Sequence, residues 1–563
     1  MDLNSNKSPK KYKYVKKFVR RKSAVAADAA ATTDEFKQKM RYYKRRVEYA
    51  IARGKVYRVI GNVGIGRIRL ELHKRGFIEV VSNNWENTLV ALPESELFLK
   101  ISPNNEYERA LLTKLLGERE PDFLWINRTS SFNVYQYVPI MNKINIMTCN
   151  FVVKDGLCEL IDRFRSNYPQ RITEINHPRT FSVTSENYFQ RFRVDYRLTI
   201  ATSTILFISY KKDPGNFFGT DGELSLASLD FALNVIEKFL KRKSILINNE
   251  DSDSVQWDEL SKVLNSLVEE NGKFKIGEDP IFLETITTKV KNASESILKE
   301  WPWRKHDGYT NVWLIKPART GEGAGIFLSR DETAIRDFIL RHKYKPFVIQ
   351  KYLERPLLCY RTKFDFRHYF LVTIDNNYLR AWSHSTACTI KFASEPFSLK
   401  DFSEARHITN TAVQMKFAKV SHPYLPQHHM WSLGAFILYL NSSDKGYLWK
   451  DYIYPRMVRT IQTIVEASME NIELKPGRFE LFGCDWMLTN DFKPYLLEIN
   501  RCPSLEYYSP VSEIVVGKVT EDLVKVTVDY LKDKTASTGD FELIFKRRLP
   551  EPPEKDEDDE WLM

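Results

Sequence analysis

The stretch FELFGCDWMLTNDFKPYLLEIN, Phe479 to Asn500, decides how the rest of the chain is read. Two apolar, aromatic-rich runs flank the polar turn Thr489-Asn490-Asp491, the short-range pattern of two antiparallel strands. With Asn490 and Asp491 as a two-residue loop, Asp485 stands opposite Leu496, and alternation puts Asp485, Leu496, Glu498 and Asn500 on one face. Glu498 and Asn500 interrupt an otherwise apolar strand. Burying such groups without partners costs several kcal/mol, about 2–7 for a neutral amide alone. A cation removes that cost. Two carboxylates and an amide oxygen, with no His or Cys among them, suit Mg²⁺, which takes few protein oxygens and completes its shell with water and phosphate. The bland alternative is a surface hairpin whose acids are solvated or paired with Lys or Arg.

Working outward, 563 residues are too many for one ordinary core, so two to four subdomains are expected. The 43% apolar and 13% aromatic fractions describe a folded chain. Cys149, Cys158, Cys359, Cys388, Cys484 and Cys502 are scattered without CxxC pairs, which predicts neither a disulfide framework nor a zinc site and fits a reducing compartment. No apolar leader and no long apolar run stands in the sequence, so a cytoplasmic protein without membrane spans is expected. The net charge of +11 calls for an acidic partner: nucleic acid, an anionic surface or an acidic polypeptide.

Residues 1–58 carry 18 Lys/Arg against 5 Asp/Glu, densest from Lys10 to Lys22, and 1–46 read as a flexible basic arm. EFKQKMRYYKRRVEYAIARG reads as a helix ending at Gly54. From Val56 the order is strand, glycine turn, helix, strand; Gly61, Gly64 and Gly66 do not follow the dinucleotide fingerprint and are read as packing glycines. Helices are predicted over Leu224–Leu246, Trp257–Val268 and Thr285–Leu298, with a polar acidic loop at Asn248–Ser254.

VWLIKP, Val312 to Pro317, is a strand with Lys316 near its end, followed by a loop holding Gly321, Gly323 and Gly325. Alternate glycines let backbone N–H groups approach phosphate oxygens, and the strand lysine adds positive charge. The P-loop pattern is absent; the flanks predict a strand-turn-strand flap. PFVIQKYLERP places Gln350, Lys351 and Tyr352 on a further strand. TKFDFRHYFLVT alternates so that Lys363, Asp365 and Arg367 share one face and Phe364, Phe366 and His368 the other. Three charges of mixed sign on one strand face exceed what a core needs. His407, Thr409 and Asn410 lead into a helical segment, and His422, His428 and His429 read as loop histidines because Pro423 and Pro426 break any fixed ligand geometry. Met457–Glu473 is predicted helical, as is the segment carrying Val515, Val519, Leu523, Val526 and Tyr530 at steps of three and four. EPPEKDEDDEWLM closes the chain as an acidic, Pro-rich tail.

Taken in order, the strand lysine and glycine flap, the QKYL strand, the KFDFR strand, the Thr-Asn pair and the Asp…Glu-x-Asn hairpin resemble the ATP-grasp fold of the tubulin-tyrosine-ligase-like family. QKYLERPLL, TKFDFRHYFLVT, FELFGCD, LLEIN and TGDFELIFK look most like its tubulin glycine ligases. The resemblance is specific from about Gly308 to Lys546 and looser from about Ala50. It implies an α/β (α+β) chain: a basic arm (1–46), an amino-terminal α/β, pre-ATP-grasp-like domain with a helical insertion (47–300), central (301–410) and C-terminal (411–548) ATP-grasp subdomains, and an acidic disordered tail (549–563).

The implied chemistry is an ATP-dependent carboxylate–amine ligase. A glutamate side chain in a tubulin tail accepts the γ-phosphoryl group, and glycine attacks the acyl phosphate. Residue by residue, Lys316 with Glu322, Gly323 and Gly325 would hold phosphates. Gln350, Lys351, Tyr352 and Leu353 would line the adenine pocket, Lys363 and Asp365 face adenine and ribose, and Thr409 and Asn410 contact nucleotide. Asp485, Glu498 and Asn500 would hold magnesium, with Arg367, Lys316 and Glu498 as the catalytic set. A monomer acting on microtubules in the cytoplasm, cytoskeleton and cilium or flagellum is implied, with glycine as co-substrate and neither nucleic acid nor membrane as partner.

Two positions depart from the family pattern. Glu322 stands in the flap where an arginine is usual, a charge reversal that costs on the order of a kcal/mol beside triphosphate unless the carboxylate turns away. In SHSTACTIKFAS, Thr386 or a neighbour fills the place of an arginine upstream of Ile390-Lys391-Phe392, with His384 and Lys391 as candidates to replace its charge. A ligase that adds glutamate, or acts on another acidic protein, and a non-catalytic nucleotide- and microtubule-binding relative are the alternative expectations.

Overall fold

The structure is a computed structural model that describes residues 34–60, 64–81, 88–126, 149–183, 186–211, 213–242, 254–321, 323–342, 346–375, 378–417, 422–472 and 476–549. The basic run Lys10–Lys22, the acidic loop 248–253 and the tail from 550 lie outside these residues.

Helix α1 (Asp34–Ala52) buries Met40, Tyr43, Val47 and Ala50, the three-and-four spacing of one helix face. Strand β1 (Val56–Ile60), helix α2 (Gly66–Lys74), strand β2 (Ile78–Glu79) and strand β3 (Phe123–Ile126) form a parallel sheet in the order β2-β1-β3. Gly64 has φ +66°, and a Cβ there would lie 2.6 Å from Leu505 Cβ, so this turn is glycine because another segment's backbone passes against it.

A helical layer follows: α3 (Lys154–Asn167), α4 (Glu186–Tyr210), α5 (Leu226–Arg242), α6 (Ser254–Asn265) and α7 (Pro280–Glu300). Between α3 and α4 runs β4 (Thr180–Val183), and a small parallel ribbon joins β5 (Phe218–Gly219) to β6 (Phe274–Lys275). Strands β7 (Trp313–Pro317), β8 (Phe327–Ser329) and β9 (Phe347–Lys351) complete an antiparallel sheet ordered β4-β9-β7-β8. Trp313, Ile315, Phe347 and Ile349 turn into a core shared with Phe192, Ile236, Trp257 and Ile286 of the helices. Asp331 caps helix α8 (Glu332–Arg341) by accepting from the Ala334 N–H.

The largest sheet contains β10 (Leu358–Cys359), β11 (Thr362–Asp375), β12 (Tyr378–Pro396), β13 (Met430–Ser432), β14 (Phe479–Leu488), β15 (Pro494–Arg501) and β16 (Phe541–Arg548). Its spine is β13-β12-β11-β14-β15. Around it lie helices α9 (Thr411–Gln414), α10 (Tyr454–Ala467) and α11 (Pro510–Val524). One face packs Phe364, Phe366, Ile390, Phe392, Trp486 and Leu496 against α3 and α10. On the other face Tyr369, Leu371, Phe479 and Leu481 meet Tyr57, Phe123 and α11. The charged residues of β11 share that second face, further along the strand.

The chain mixes helices and sheets as expected for α+β. Sheet membership cuts across the division read from the sequence: β4 pairs with β9, and β11 and β12 share a sheet with β14. Helix α10 starts at Tyr454 and stops at Ala467, short of the predicted Glu473. The tight two-residue loop in the hairpin is overturned. The ladder ends at Leu488↔Pro494, and residues 489–493 form a longer turn closed by Thr489 N–H on Lys493 O (3.0 Å) and Phe492 N–H on Thr489 O (2.8 Å), with Phe492 at φ +66°. Among the described residues no helix is long and apolar enough to cross a membrane.

Below the flap, Lys351 is buried with its ammonium donating to Asp307 O (2.9 Å), Val312 O (3.0 Å), Tyr352 O (3.1 Å) and Glu354 Oε1 (2.7 Å). Glu354 also accepts from the Thr310 and Val312 N–H groups, both at 2.7 Å. Removing one partner of a buried pair strands the other charge, at a cost of about 3–5 kcal/mol. Glu354→Ala is therefore expected to lower the unfolding free energy, read by denaturant titration, by that amount, and pairing Glu354→Leu with Lys351→Met to recover part of it; equal unfolding free energies for wild type and Glu354→Ala would contradict this.

Candidate active site

Four neighbouring strands put one charged side chain after another on the same face. Asp365 of β11 pairs across to Lys391 of β12, Arg367 of β11 to Asp485 of β14, and Asp485 to Glu498 of β15. Directly opposite residues in antiparallel strands lie about 5 Å apart, so the ladder itself brings these charges into contact. The Lys391 ammonium bridges Asp365 Oδ1 (2.9 Å) and Asp485 Oδ1 (3.1 Å). Arg367 donates Nε to Asp485 Oδ1 and Nη2 to Oδ2, both at 2.9 Å, the two-pronged geometry of a strong pair. Asn500 Nδ2 donates to Asp485 Oδ2 (2.9 Å) and to Glu498 Oε1 (3.2 Å).

This arrangement needs a β-bulge. Asp485 faces Glu498 while Trp486 faces Leu496, leaving Leu497 as the extra residue. The expectation that Asp485 lies opposite Leu496, with Leu496 beside the acids, is corrected: Leu496 turns into the apolar core, and the bulge sends Glu498 and Asn500 to the site. Period-two alternation alone misses the slip.

Burial would raise the Asp485 carboxyl, but Arg367 and Lys391 outweigh it and hold the group well below the ordinary carboxylate range. The Arg367 and Lys391 cations are correspondingly stabilised. Asp365 goes the other way: burial pushes its carboxyl up, against Lys391 and the hydroxyl of Thr409, which donates to Oδ2.

Opposite this floor, the β4-β9-β7-β8 sheet forms a roof. Lys316 Nζ donates to Gln350 Oε1 (2.9 Å), and Gln350 Nε2 to Thr180 Oγ1 (3.1 Å). Thr180 Oγ1 lies 3.0 Å from His177 Nε2, and His177 Nδ1–H donates to Leu496 O at 2.8 Å. That chain ties roof to floor. Burial lowers His177 to about 3, so it serves as a neutral ring. Burial also pulls Lys316 and Lys363 down to about 8.

Between roof and floor lies a narrow cleft with about 80 Å³ of free space. It is lined by Lys316, Gly323, Gln350, Lys351, Tyr352, Leu353, Lys363, Asp365, Thr409, Asn410, Asp485 and Glu498. A second, wider cleft of about 600 Å³ meets it at Gly321, Asn410 and Glu498 and exposes Arg367 and Asn500. Gly323 has φ +78°, and a Cβ there would press on Val413, Ile408 and Asn410, so the flap closes against the Thr-Asn segment only as glycine. Gly325, φ +72°, packs on Pro317 and lines neither cleft. Lys351 borders the first cleft, but its ammonium is committed to Glu354 and three carbonyls, which removes it as a charged ligand. Glu322 lies outside the described residues.

Residues 261–536 match the model of the tubulin-tyrosine ligase family. This part of the chain is similar to the tubulin-tyrosine ligase family. Over 93% of its length the chain is 27% identical to tubulin glycylase 3B of Drosophila melanogaster, covering 70% of that protein. It is 28% identical to Drosophila tubulin glycylase 3A over 92% of the chain and 54% of the relative. Against protein monoglycylase TTLL8 of Mus musculus the figure is 28% over 91% and 65%. The chain thus spans between 54 and 70% of the length of these relatives.

The matching family is ATP-grasp-like, and here two sheets clamp the first cleft between them. Two of the cleft's side chains come from outside the matched segment or had no local signal. Lys154, at the start of α3, reaches in to donate to Thr320 O (2.8 Å) and lies 3.6 Å from Glu498 Oε2. Nothing in its own neighbourhood predicts this, since 166 residues separate it from Thr320. His407 receives the Tyr352 hydroxyl at 2.8 Å through Nδ1 and offers its carbonyl to Lys363.

Of the two departures, Thr386 sits on an exposed irregularity of β12 and donates to Asp540. His384 is buried 3.3 Å from Asp522 and against Phe541, and lines neither cleft. Lys391 alone of the two candidates brings charge to the site. Among the described residues the one three-membered His/Asp group is His384, Asp522 and Asp540, where Lys518 and Lys525 already neutralise Asp522. Asp485 is likewise paired, with Arg367 and Lys391, but turning the Asn500 amide over frees its Oδ2 from that contact; with Asn500 Oδ1 and Glu498, which has Lys154 at 3.6 Å, this gives an all-oxygen set that would suit a hard divalent cation.

Because Lys316 and Lys363 lose charge as pH rises through about 8, affinity for ATP is expected to fall about tenfold or more between about pH 7 and about pH 9.5. Lys316→Arg, charged throughout, should flatten part of that decline. Calorimetric titration checks it, and a flat wild-type profile would remove Lys316 from the phosphate site.

Proposed function

We propose that the chain is an ATP-dependent ligase that joins the amine of glycine to a glutamate side chain in an acidic tubulin tail. The observation that carries this reading is the meeting of a narrow cleft lined by Lys154, Lys316 and Lys363 and a wider cleft at one cationic and acidic ladder, with Arg367 and Asn500 facing the wider one. The relatives named as glycylases support the choice of glycine and of tubulin.

In the narrow cleft, Tyr352, Leu353 and Met487 enclose the base, Lys363 and Asp365 face its polar edge and the ribose, and Lys316 and Lys154 meet the phosphates. An oxygen of the acceptor carboxylate attacks the γ-phosphorus as the bond to the bridging oxygen breaks and ADP leaves. The glycine amine then attacks the acyl carbon, the carbon–oxygen bond breaks, inorganic phosphate departs, and the nitrogen loses a proton. Arg367 and Lys391, fixed by Asp485, supply positive charge that needs no reorganisation as negative charge develops. Magnesium held by Asp485, Glu498 and Asn500 neutralises phosphate charge when bound. The flap glycines and His177 position the roof and exclude water. On this reading the protein works on the microtubule cytoskeleton, with the cilium or flagellum axoneme as its place of action.

A second reading has a specific observation behind it. Thr386 replaces a family arginine and turns to Asp540, which favours a nucleotide-binding relative without turnover. Intact mass spectrometry of tubulin incubated with the protein, Mg-ATP and isotopic glycine separates the two. Added glycine masses that fall about a hundredfold or more in Glu498→Gln are expected. ATP binding with no glycine or glutamate added would leave the second reading standing.

A further inference from the structure

On the far side of the hairpin from the first cleft lies a pocket of about 320 Å³ between α10, the 489–493 turn and residues 173–176. Leu496 N–H donates to Asn176 O at 2.8 Å, so the pocket's wall and the active hairpin are one hydrogen-bonded unit. Arg456, Arg459 and Lys493 converge there with Lys305. The two acids in the lining are already engaged: Asp491 by Lys305 and His306, both at 2.9 Å, and Glu174 by Arg171 at 2.8 Å. Arg456 lies over the ring of Tyr452, and Arg456, Arg459 and Lys493 form no ion pair with any described carboxylate. Burial and the Lys305 charge push the Lys493 ammonium below its ordinary value, which reports how closely these cations crowd. Four cations therefore face two acids in the lining, and Asp491 and Glu174 only partly offset them. An external anion would balance the excess.

We propose that this pocket is a second docking site for an acidic polypeptide in trans, remote from the acceptor cleft. The inference rests on the proposed function for the partner's identity, a glutamate-rich tubulin tail or its neighbour in the filament. The spacing selects a polypeptide over a compact phosphate. Arg456 and Arg459 are one helical turn apart, about 5–6 Å, close to the ~6.8 Å between carboxylates on alternate residues of an extended chain. Asp491 and Glu174 between the cations repel a compact dianion, whereas separated carboxylates interleave with them. The site holds the filament while a tail on the same or an adjacent subunit enters the wide cleft, raising the local concentration of acceptor.

The test uses the full chain with Arg456→Glu and Arg459→Glu combined, neither residue being in the catalytic cleft, and a thermal melt to confirm folding. Co-sedimentation with microtubules is expected to weaken by about tenfold, from loss of two to three exposed pairs. In glycine transfer, KM for microtubules should rise by a similar factor while kcat, and KM for a peptide too short to span both sites, stay unchanged. Unchanged co-sedimentation overturns the proposal. If neutralising the acids of residues 551–560 tightens wild-type binding but not that of the variant, the pocket belongs to the chain's own acidic segment and the trans proposal also falls. Because co-sedimentation needs no turnover, failure of glycine transfer alone rejects the proposed function and leaves this docking result readable.

Discussion

Asp485 is the residue on which the site depends. Its carboxylate takes two donors from Arg367, one from Lys391 and one from Asn500, so strands β11, β12, β14 and β15 are all fixed through one buried anion. A buried carboxylate is costly alone, and the two cations opposite it are costly alone; together they are held charged in a place without much water. The ladder therefore presents preorganised charge to anything entering either cleft, which is what phosphoryl transfer asks of a protein.

The same sheet face does two jobs at two ends. Where Tyr369, Leu371 and Leu481 point outward, the parallel β1–β3 sheet and α11 cover them with apolar side chains. Where Lys363, Asp365 and Arg367 point outward, the cover is the roof sheet with its lysine and glycine flap. Two-residue alternation along β11 keeps the opposite face in the core with Phe364, Phe366 and Phe370, His368 being its buried polar member. The amino-terminal region is thus part of the site's construction. Gly64 lets its turn pass against Leu505, beside the wide cleft, and Lys154 brings a charge from α3 to Glu498.

Position relative to the sheet also sorts the polar residues that resemble ligands. His384, Asp522 and Asp540 cluster, yet Lys518 and Lys525 satisfy Asp522, and the group ties α11 to β16. Lys351 stands in a nucleotide-lining strand, yet its ammonium spends its donors on Glu354 and backbone carbonyls. In both cases side-chain direction and burial, rather than residue type, separate scaffold from site.

The sequence by itself determined much. The hairpin acids, the KFDFR alternation, the lysine-glycine flap and the Thr-Asn pair are local patterns, with each residue's face set by period two or by a glycine's freedom, so half of the lining of the first cleft, including most of its charged groups, was legible. Tertiary structure decided what spacing along the chain cannot carry. It placed Lys154 and His177 in the site from distant segments, spent Lys351 on the scaffold, and turned Thr386 outward. It also set the Leu497 bulge, which puts Glu498 rather than Leu496 opposite Asp485. A one-residue slip exchanges the faces of a strand, and its position follows from the core that Trp486 and Leu496 must fill, not from the hairpin's own residues.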